Sequence, residues 1–220
     1  SISINNVTVS GDTRYDRVHE IIQQKNNLHY IEDFVTNKTC VVYGSTWKED
    51  IDIISDTIQQ LKHVKHIIAP HHIDEATLTY IKENNPFSSI VLFSEMEGKS
   101  LEDYDVFILD TIGVLTKVYS YADIAYVGGA FKTGLHNILE PAAYGIPVVI
   151  GPHYNKFIEA VSLVENGGVI AIHDKDVFKQ VLCDLVDLEN DLRIPMGKKN
   201  KAFIENNLGA TKTIIQHLGI

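Results

Sequence analysis

Residues Cys40-Val41-Val42-Tyr43-Gly44-Ser45-Thr46-Trp47-Lys48-Glu49-Asp50-Ile51 decide the fold. An apolar run without alternation, Cys40–Tyr43, ends in small and hydroxyl residues. Ile51, Ile54, Ile58 and Leu61 then recur at helical spacing along Lys48–Leu61. A second apolar run, His66–Ala69, follows. Strand, amphipathic helix and strand make a βαβ unit. Strands apolar on every residue belong to a parallel sheet covered on both faces.

The same alternation extends towards the C-terminus. Strands are expected at Ser89–Phe93, Val106–Leu109, Ile124–Val127, Val148–Ile150 and Val169–Ile172. Helices are expected at Lys156–Glu165, Asp174–Leu188 and Gly197–Leu218, the last broken at Asn206-Asn207-Leu208-Gly209. Glu95–Glu102 lacks periodicity and reads as a flexible loop. Upstream, Ser1–Ser10 reads as a strand and Arg14–Lys25 as a helix. The expected fold is α/β, a doubly wound parallel sheet forming one domain over residues 1–220. No initiator Met or polar tail leads it, so residues 1–12 read as a strand or linker entering from a preceding domain.

Composition narrows the function. The chain has 220 residues and a formal net charge of −10. Such acidity disfavours nucleic acid, and the three arginines (Arg14, Arg17, Arg193) form no cluster in sequence. Cys40 and Cys183 fit no metal spacing; Cys40 reads as a small buried hydrophobe, and two free thiols suit a reducing cytoplasm. No apolar stretch approaches the ~20 residues of a membrane span.

Ligands of doubly wound sheets bind beyond the carboxyl ends of the strands. There the chain places Gly44-Ser45-Thr46, Pro70-His71-His72, Asp110-Thr111-Ile112-Gly113, Gly128-Gly129 leading to His136-Asn137, and Gly151-Pro152-His153. Several of these have a purely structural reading. Thr46-Trp47-Lys48-Glu49 is a capping-box pattern, with Thr46 closing a helix. Asn137-Ile138-Leu139-Glu140 resembles another cap, with Pro141 in the first turn. Gly128-Gly129 is a plain turn or a close approach of backbone to ligand. His71-His72 lacks partners at metal-ligand spacing, so no metal is expected. Asp103-Tyr104-Asp105 imitates a metal-holding acid pair, but at the wrong end of its strand. The chain has no phosphate-binding Gly-x-x-x-x-Gly-Lys-Ser/Thr loop, no dinucleotide Gly-x-Gly-x-x-Gly after its early strands, and no Gly-x-Ser-x-Gly elbow.

Four stretches in order carry a family resemblance: Asp110–Gly113, Ala122–Gly129, His136–Ala143 and Pro147–His153. They resemble the C-terminal domain of the 3-deoxy-D-manno-octulosonic acid (Kdo) transferases, GT-B glycosyltransferases of lipopolysaccharide synthesis. Gly11-Asp12-Thr13-Arg14-Tyr15-Asp16-Arg17-Val18 and Gly44-Ser45-Thr46 match the same family. The resemblance implies the Rossmann-like C-terminal half of a GT-B fold. Its function would be to bind CMP-Kdo for inverting transfer to a lipid A precursor, with neither metal nor cofactor. By resemblance, Thr111, Ile112 and Gly113 face the cytosine and Glu140 accepts from the ribose hydroxyls. Ser45, Thr46, Gly129, His136 and Asn137 surround the phosphate, with Leu139 adjoining. The chain departs from the family at His71, where Arg is common; a His carries only part of a charge near neutral pH. The resemblance also puts the catalytic base and a basic acceptor groove in an N-terminal domain that would precede Ser1. No catalytic residue is therefore expected here, and the full-length enzyme would work at the cytoplasmic face of the inner membrane. Two alternatives are a UDP-sugar 2-epimerase domain of the same architecture and a non-catalytic nucleotide-binding module.

Overall fold

Successive residues of the first strand, β1 (Cys40–Thr46), pack to opposite sides. Cys40 and Val42 enter one apolar layer and Val41 and Tyr43 the other, and all four are fully buried. A strand covered on both faces must be apolar at every position, which is what the sequence shows. The computed structural model describes residues 7–86, 88–132 and 134–219. Six further strands join β1: β2 (Lys65–Pro70), β3 (Ile90–Leu92), β4 (Val106–Ile108), β5 (Ile124–Val127), β6 (Val148–Ile150) and β7 (Val169–Ala171). Their order is β3-β4-β2-β1-β5-β6-β7, and each neighbouring pair is parallel. The expected doubly wound sheet is present.

One face is covered by α1 (Thr13–Gln23), α2 (His29–Val35), α6 (Leu139–Ala143), α7 (Ile158–Glu165) and α9 (Arg193–Asn206). These helices contribute Val18, Phe34, Leu139, Leu163 and Ile204 to that layer. The other face is covered by α3 (Lys48–Gln60), α4 (Glu75–Asn84) and α8 (Lys175–Val186), through Ile54, Ile81 and Leu182. Burying each such aliphatic side chain stabilises by roughly 1.5–3 kcal/mol. Short α5 (Leu115–Val118) precedes β5, and α10 (Ala210–Leu218) ends the described chain. Among the described residues no helix is long and apolar enough to cross a membrane.

The motif at residues 11–18 serves this packing. Asp12 caps α1 by accepting from the Arg14 N–H at 2.9 Å, and Arg14 reaches Glu159 of α7 at 2.7 Å. Asp16 accepts the Gly209 and Thr211 N–H groups at the start of α10, both at 2.7 Å. Arg14 and Asp16 thus tie α1 to α7 and to the start of α10.

The described fold adjusts some sequence expectations. Within the expected strand Ser1–Ser10, residues 1–6 lie outside the described chain and residues 7–10 form no strand. Helix α2 was not expected: its His29–Val35 run is too short for periodicity to reveal it. The Glu95–Glu102 loop contains turns and runs into a 3₁₀ turn at Leu101–Asp103 that packs Leu101 into the core. The break between α9 and α10 falls at Asn207-Leu208-Gly209 as read, with Gly209 at φ 109°.

One buried polar pair gives a pH prediction. The His66 ring is fully buried; Nδ1 lies 3.0 Å from the Tyr43 hydroxyl and Nε2 lies 3.2 Å from the Leu61 carbonyl. The Tyr43 O–H donates to Nδ1 and the Nε2–H donates to the carbonyl, which fixes a neutral ring. Burial pushes the imidazole pKa down from 6.5 to about 4. Unfolding lets it take a proton anywhere between those values. The contribution is therefore intact above pH 6.5 and lost as pH falls through 4. At pH 5 the loss from this group is about 2 kcal/mol. Urea unfolding at pH 7.5 and 5 should show that slope in the wild type and less of it in Tyr43→Phe/His66→Leu, which removes both partners together. Parallel slopes would assign the acid sensitivity elsewhere.

Candidate functional site

Strand order reverses its direction of growth between β1 and β5, so a crevice opens beyond their carboxyl ends. The end of β1 is shaped by steric demand. A Cβ at Gly44 would sit 1.8 Å from the Tyr119 hydroxyl, so only glycine fits. The ladder to β2 breaks register between Gly44 and Thr46, and Ser45 takes φ 54° in the left-handed region. Gly44-Ser45-Thr46 thus closes the strand instead of following it. Thr46 returns to register, its side chain 1% exposed, and its Oγ1 has no partner among the described residues. Buried hydroxyls are normally paired, and this one is enclosed at the carboxyl end of β1.

Thr46 does not cap α3. The cap position is Trp47, and the acid that closes the turn is Asp50, one residue beyond the expected pattern. Asp50 is fully buried. Its Oδ2 accepts the Trp47 N–H at 2.8 Å and the Gly129 N–H at 2.9 Å, and its Oδ1 accepts the Tyr126 hydroxyl at 2.6 Å. Burial pushes the carboxyl above its ordinary range although these three donors oppose it. Glu49 instead pairs with Lys132.

This carboxylate ties the β5 loop to the β1 loop. A Cβ at Gly128 would meet the Ser45 carbonyl at 2.6 Å and Asp50 Oδ2 at 2.7 Å. Gly129 has φ 92°, and a Cβ there would meet the Gly134 carbonyl at 2.3 Å. The close approach that requires these glycines is to the protein's own backbone, and the Gly129 N–H is already engaged by Asp50.

Trp47, His71, His72 and His136 form a cluster of rings above this turn. His71 stacks on Trp47 with centroids 4.5 Å apart and on His136 at 4.6 Å. His72 stands edge-on to both Trp47 and His71. The indole Nε1–H donates to His136 Nε2 at 2.9 Å. Burial, then the neighbouring His72, holds His71 below the ordinary histidine range; burial, then His71, does the same for His136. Both rings are mainly neutral near pH 7. At the position where the sequence resemblance leads one to expect Arg, this site offers neutral donors. Lys132, tied to Glu49, and Lys48, over the Tyr80 ring, are nearby cations.

A second group of polar atoms lies at the start of α6. Glu140 is half-buried; its Oε2 accepts the Thr116 hydroxyl at 2.7 Å and its Oε1 accepts the Asn137 amide at 3.0 Å. Asn137 Oδ1 accepts the Leu139 N–H at 3.1 Å, so Asn137 performs part of the expected capping role. The Leu139 side chain is buried core and its N–H is taken. Each Glu140 oxygen keeps an accepting direction free. Thr116 stands on α5, directly after the β4 loop Asp110–Gly113. In that loop Asp110 accepts the Ser94 N–H at 2.9 Å, Ile112 is 84% exposed, and Gly113 has φ 88° with open space around it. The structure thus connects Ile112–Gly113 to Glu140 through Thr116, and Ser45–Thr46 to His71 and His136 through Trp47. No group of three or more His, Cys, Asp or Glu side chains able to hold a metal ion occurs among the described residues. Cys40 is buried as expected and Asp105 sits ahead of β4, held to Ser89, away from the crevice.

Sequence reading missed Trp47, Asp50 and Thr116. Trp is not a capping residue type, so the Trp47-x-x-Asp50 spacing gives no local cap signal. Nothing local marks Thr116, whose partner lies 24 residues on.

No family model matches the chain. Among curated proteins it is 29% identical over 187 residues to the 3-deoxy-D-manno-octulosonic acid transferase of Chlamydia trachomatis serovar A, covering 80% of this chain and 42% of that protein. The chain therefore spans less than half the length of that relative. Among solved structures it is similar to the C-terminal CMP-Kdo binding domain of WaaA from Acinetobacter baumannii. The TM-score is 0.68 at 18% identity, over 87% of this chain and 97% of that one. It is also similar to a UDP-N-acetylglucosamine 2-epimerase, at TM-score 0.63 and 13% identity over 100% of this chain and 53% of that one. The structural likenesses establish the Rossmann-like α/β fold, and the sequence similarity to the Kdo transferases runs through most of the chain.

Proposed function

We propose that this chain, a relative of the Kdo transferases, is the donor-binding domain of an inverting glycosyltransferase that uses CMP-Kdo. The observation that carries the reading is Glu140. Its carboxylate is held between Thr116 and Asn137, both oxygens retain accepting capacity, and α5 links it to the exposed Ile112–Gly113 loop. The cytosine lies on that loop, the ribose diol donates to Glu140, and the phosphate extends towards Ser45, Thr46 and His136. The neutral imidazoles of His71 and His136 supply donors on the phosphate side. No step of this binding needs a metal ion. The lipid A precursor would be held by an N-terminal domain, at the cytoplasmic face of the inner membrane.

The test is nucleotide titration by calorimetry or NMR without metal. CMP should bind more tightly than UMP, and weakly, because one wall of a GT-B cleft carries only part of the donor site. Glu140→Gln should weaken CMP binding by ~1–3 kcal/mol, the scale of hydrogen bonds to a charged group. The variant should fold normally, since Gln keeps an acceptor for Thr116. A 2′-deoxy nucleotide should narrow the difference between wild type and variant. Equal binding by both proteins would reduce Glu140 to a structural cap, and a preference for UMP would favour the epimerase-like reading.

A further inference from the structure

We propose that Trp47 is a positioning residue that fixes the tautomer of His136, so that the imidazole presents Nδ1–H to the ligand. The inference rests on donor chemistry. An indole nitrogen can only donate, so His136 Nε2, 2.9 Å from Trp47 Nε1, must carry the lone pair. In a neutral imidazole the proton then resides on Nδ1. That atom has no protein partner among the described residues, and it is the only donor the ring has left.

The surroundings hold this arrangement rigidly. The Trp47 N–H is bound by buried Asp50, which fixes the start of α3. The indole is stacked on His71, which is stacked on His136 in turn. The His136 N–H donates to the Gly128 carbonyl at 3.2 Å. The ring also lies against Gly129, where a Cβ would come within 2.8 Å of Cδ2. The titratable group stacked on the ring is His71, which meets His72 in turn, and Asp50 holds the adjoining Gly129 N–H. Protonating His136 at Nε2 would set two donors against each other and break the bond to Trp47. Trp47 therefore keeps the ring neutral as well as oriented. The ligand group this donor suits is an anionic oxygen; its identification as the donor phosphate rests on the function proposed above.

The deciding experiment is long-range proton–nitrogen NMR on the histidine-labelled chain at pH 7.5, with His136 assigned by the signals lost in His136→Gln. The wild-type ring should show a protonated Nδ1 and an unprotonated Nε2. In Trp47→Phe, which keeps an aromatic ring but not the N–H, the pattern should shift towards protonated Nε2, the usual preference of a free imidazole. A wild-type ring protonated at Nε2 overturns the inference, whether or not the variant folds; so does a folded Trp47→Phe with an unchanged pattern. CMP titration is read separately. Trp47→Phe should bind about threefold to tenfold more weakly, the scale of one hydrogen bond. The stated tautomer in a wild type that ignores CMP would refute the nucleotide reading and leave the role of Trp47 standing.

Discussion

The chain alone is expected to form no Kdo-lipid from CMP-Kdo and a lipid A precursor. Transfer requires a base within hydrogen-bond reach of the acceptor hydroxyl. The carboxylates near the crevice are all committed. Asp50 is buried under three donors, Asp110 is held by Ser94, and Glu140, held by Thr116 and Asn137, turns its remaining accepting directions to the ribose on the proposed reading. Glu49 is paired with Lys132, and Asp74 caps α4 by accepting the Thr77 N–H at 2.9 Å. On the proposed reading the reacting carbon sits between two domains, with the base on the other wall. The assay is CMP release together with Kdo-lipid formation by the purified chain. Supplying an N-terminal half that can dock should restore both. Robust turnover by these 220 residues alone would place a base within them and overturn this division of labour.

The sheet was legible because burial on both faces constrains every residue of a central strand. Cys40–Tyr43, Ile124–Val127 and Val148–Ile150 are therefore unbroken apolar runs, and each is a strand in the structure. Glu140 and Asn137 were singled out through the family resemblance, since their local pattern reads only as a cap; the structure brings the two side chains into one hydrogen-bonded group. What escaped depends on contacts distant in sequence. The requirement for glycine at 44 comes from Tyr119, which fills the space a side chain would need, and the register break follows at Ser45 with φ 54°. The bond from Trp47 to His136 spans 89 residues, and the one from Asp50 to Gly129 spans 79. The cap of α3 was read one residue early for a related reason. Thr46 looks like a cap in isolation, but β1 extends through it, and the ladder to Pro70 outweighs a local preference.

Replacing Asp50 tests whether the crevice has one structural centre. Asp50→Ala would leave the Trp47 N–H, the Gly129 N–H and the Tyr126 hydroxyl without their acceptor at once, where water has little access. A hydrogen bond to a charged group contributes about 1.5–3 kcal/mol, and losses within one network are not additive. The expected destabilisation is roughly 3–5 kcal/mol, measured by urea unfolding. Asp50→Asn separates geometry from charge. Its carbonyl can occupy the Oδ2 position and keep both backbone donors, while its amide faces the Tyr126 oxygen, which can turn to accept. The cost should then be about 1 kcal/mol, and nucleotide binding should survive. A hydrogen-exchange measurement at the Gly129 amide distinguishes the two variants, with protection retained in Asn and lost in Ala. If Ala costs no more than Asn and Gly129 stays protected, the β1 and β5 loops are held together by packing alone. In that case their glycines, which leave no space for a Cβ, would be the true determinant of the crevice.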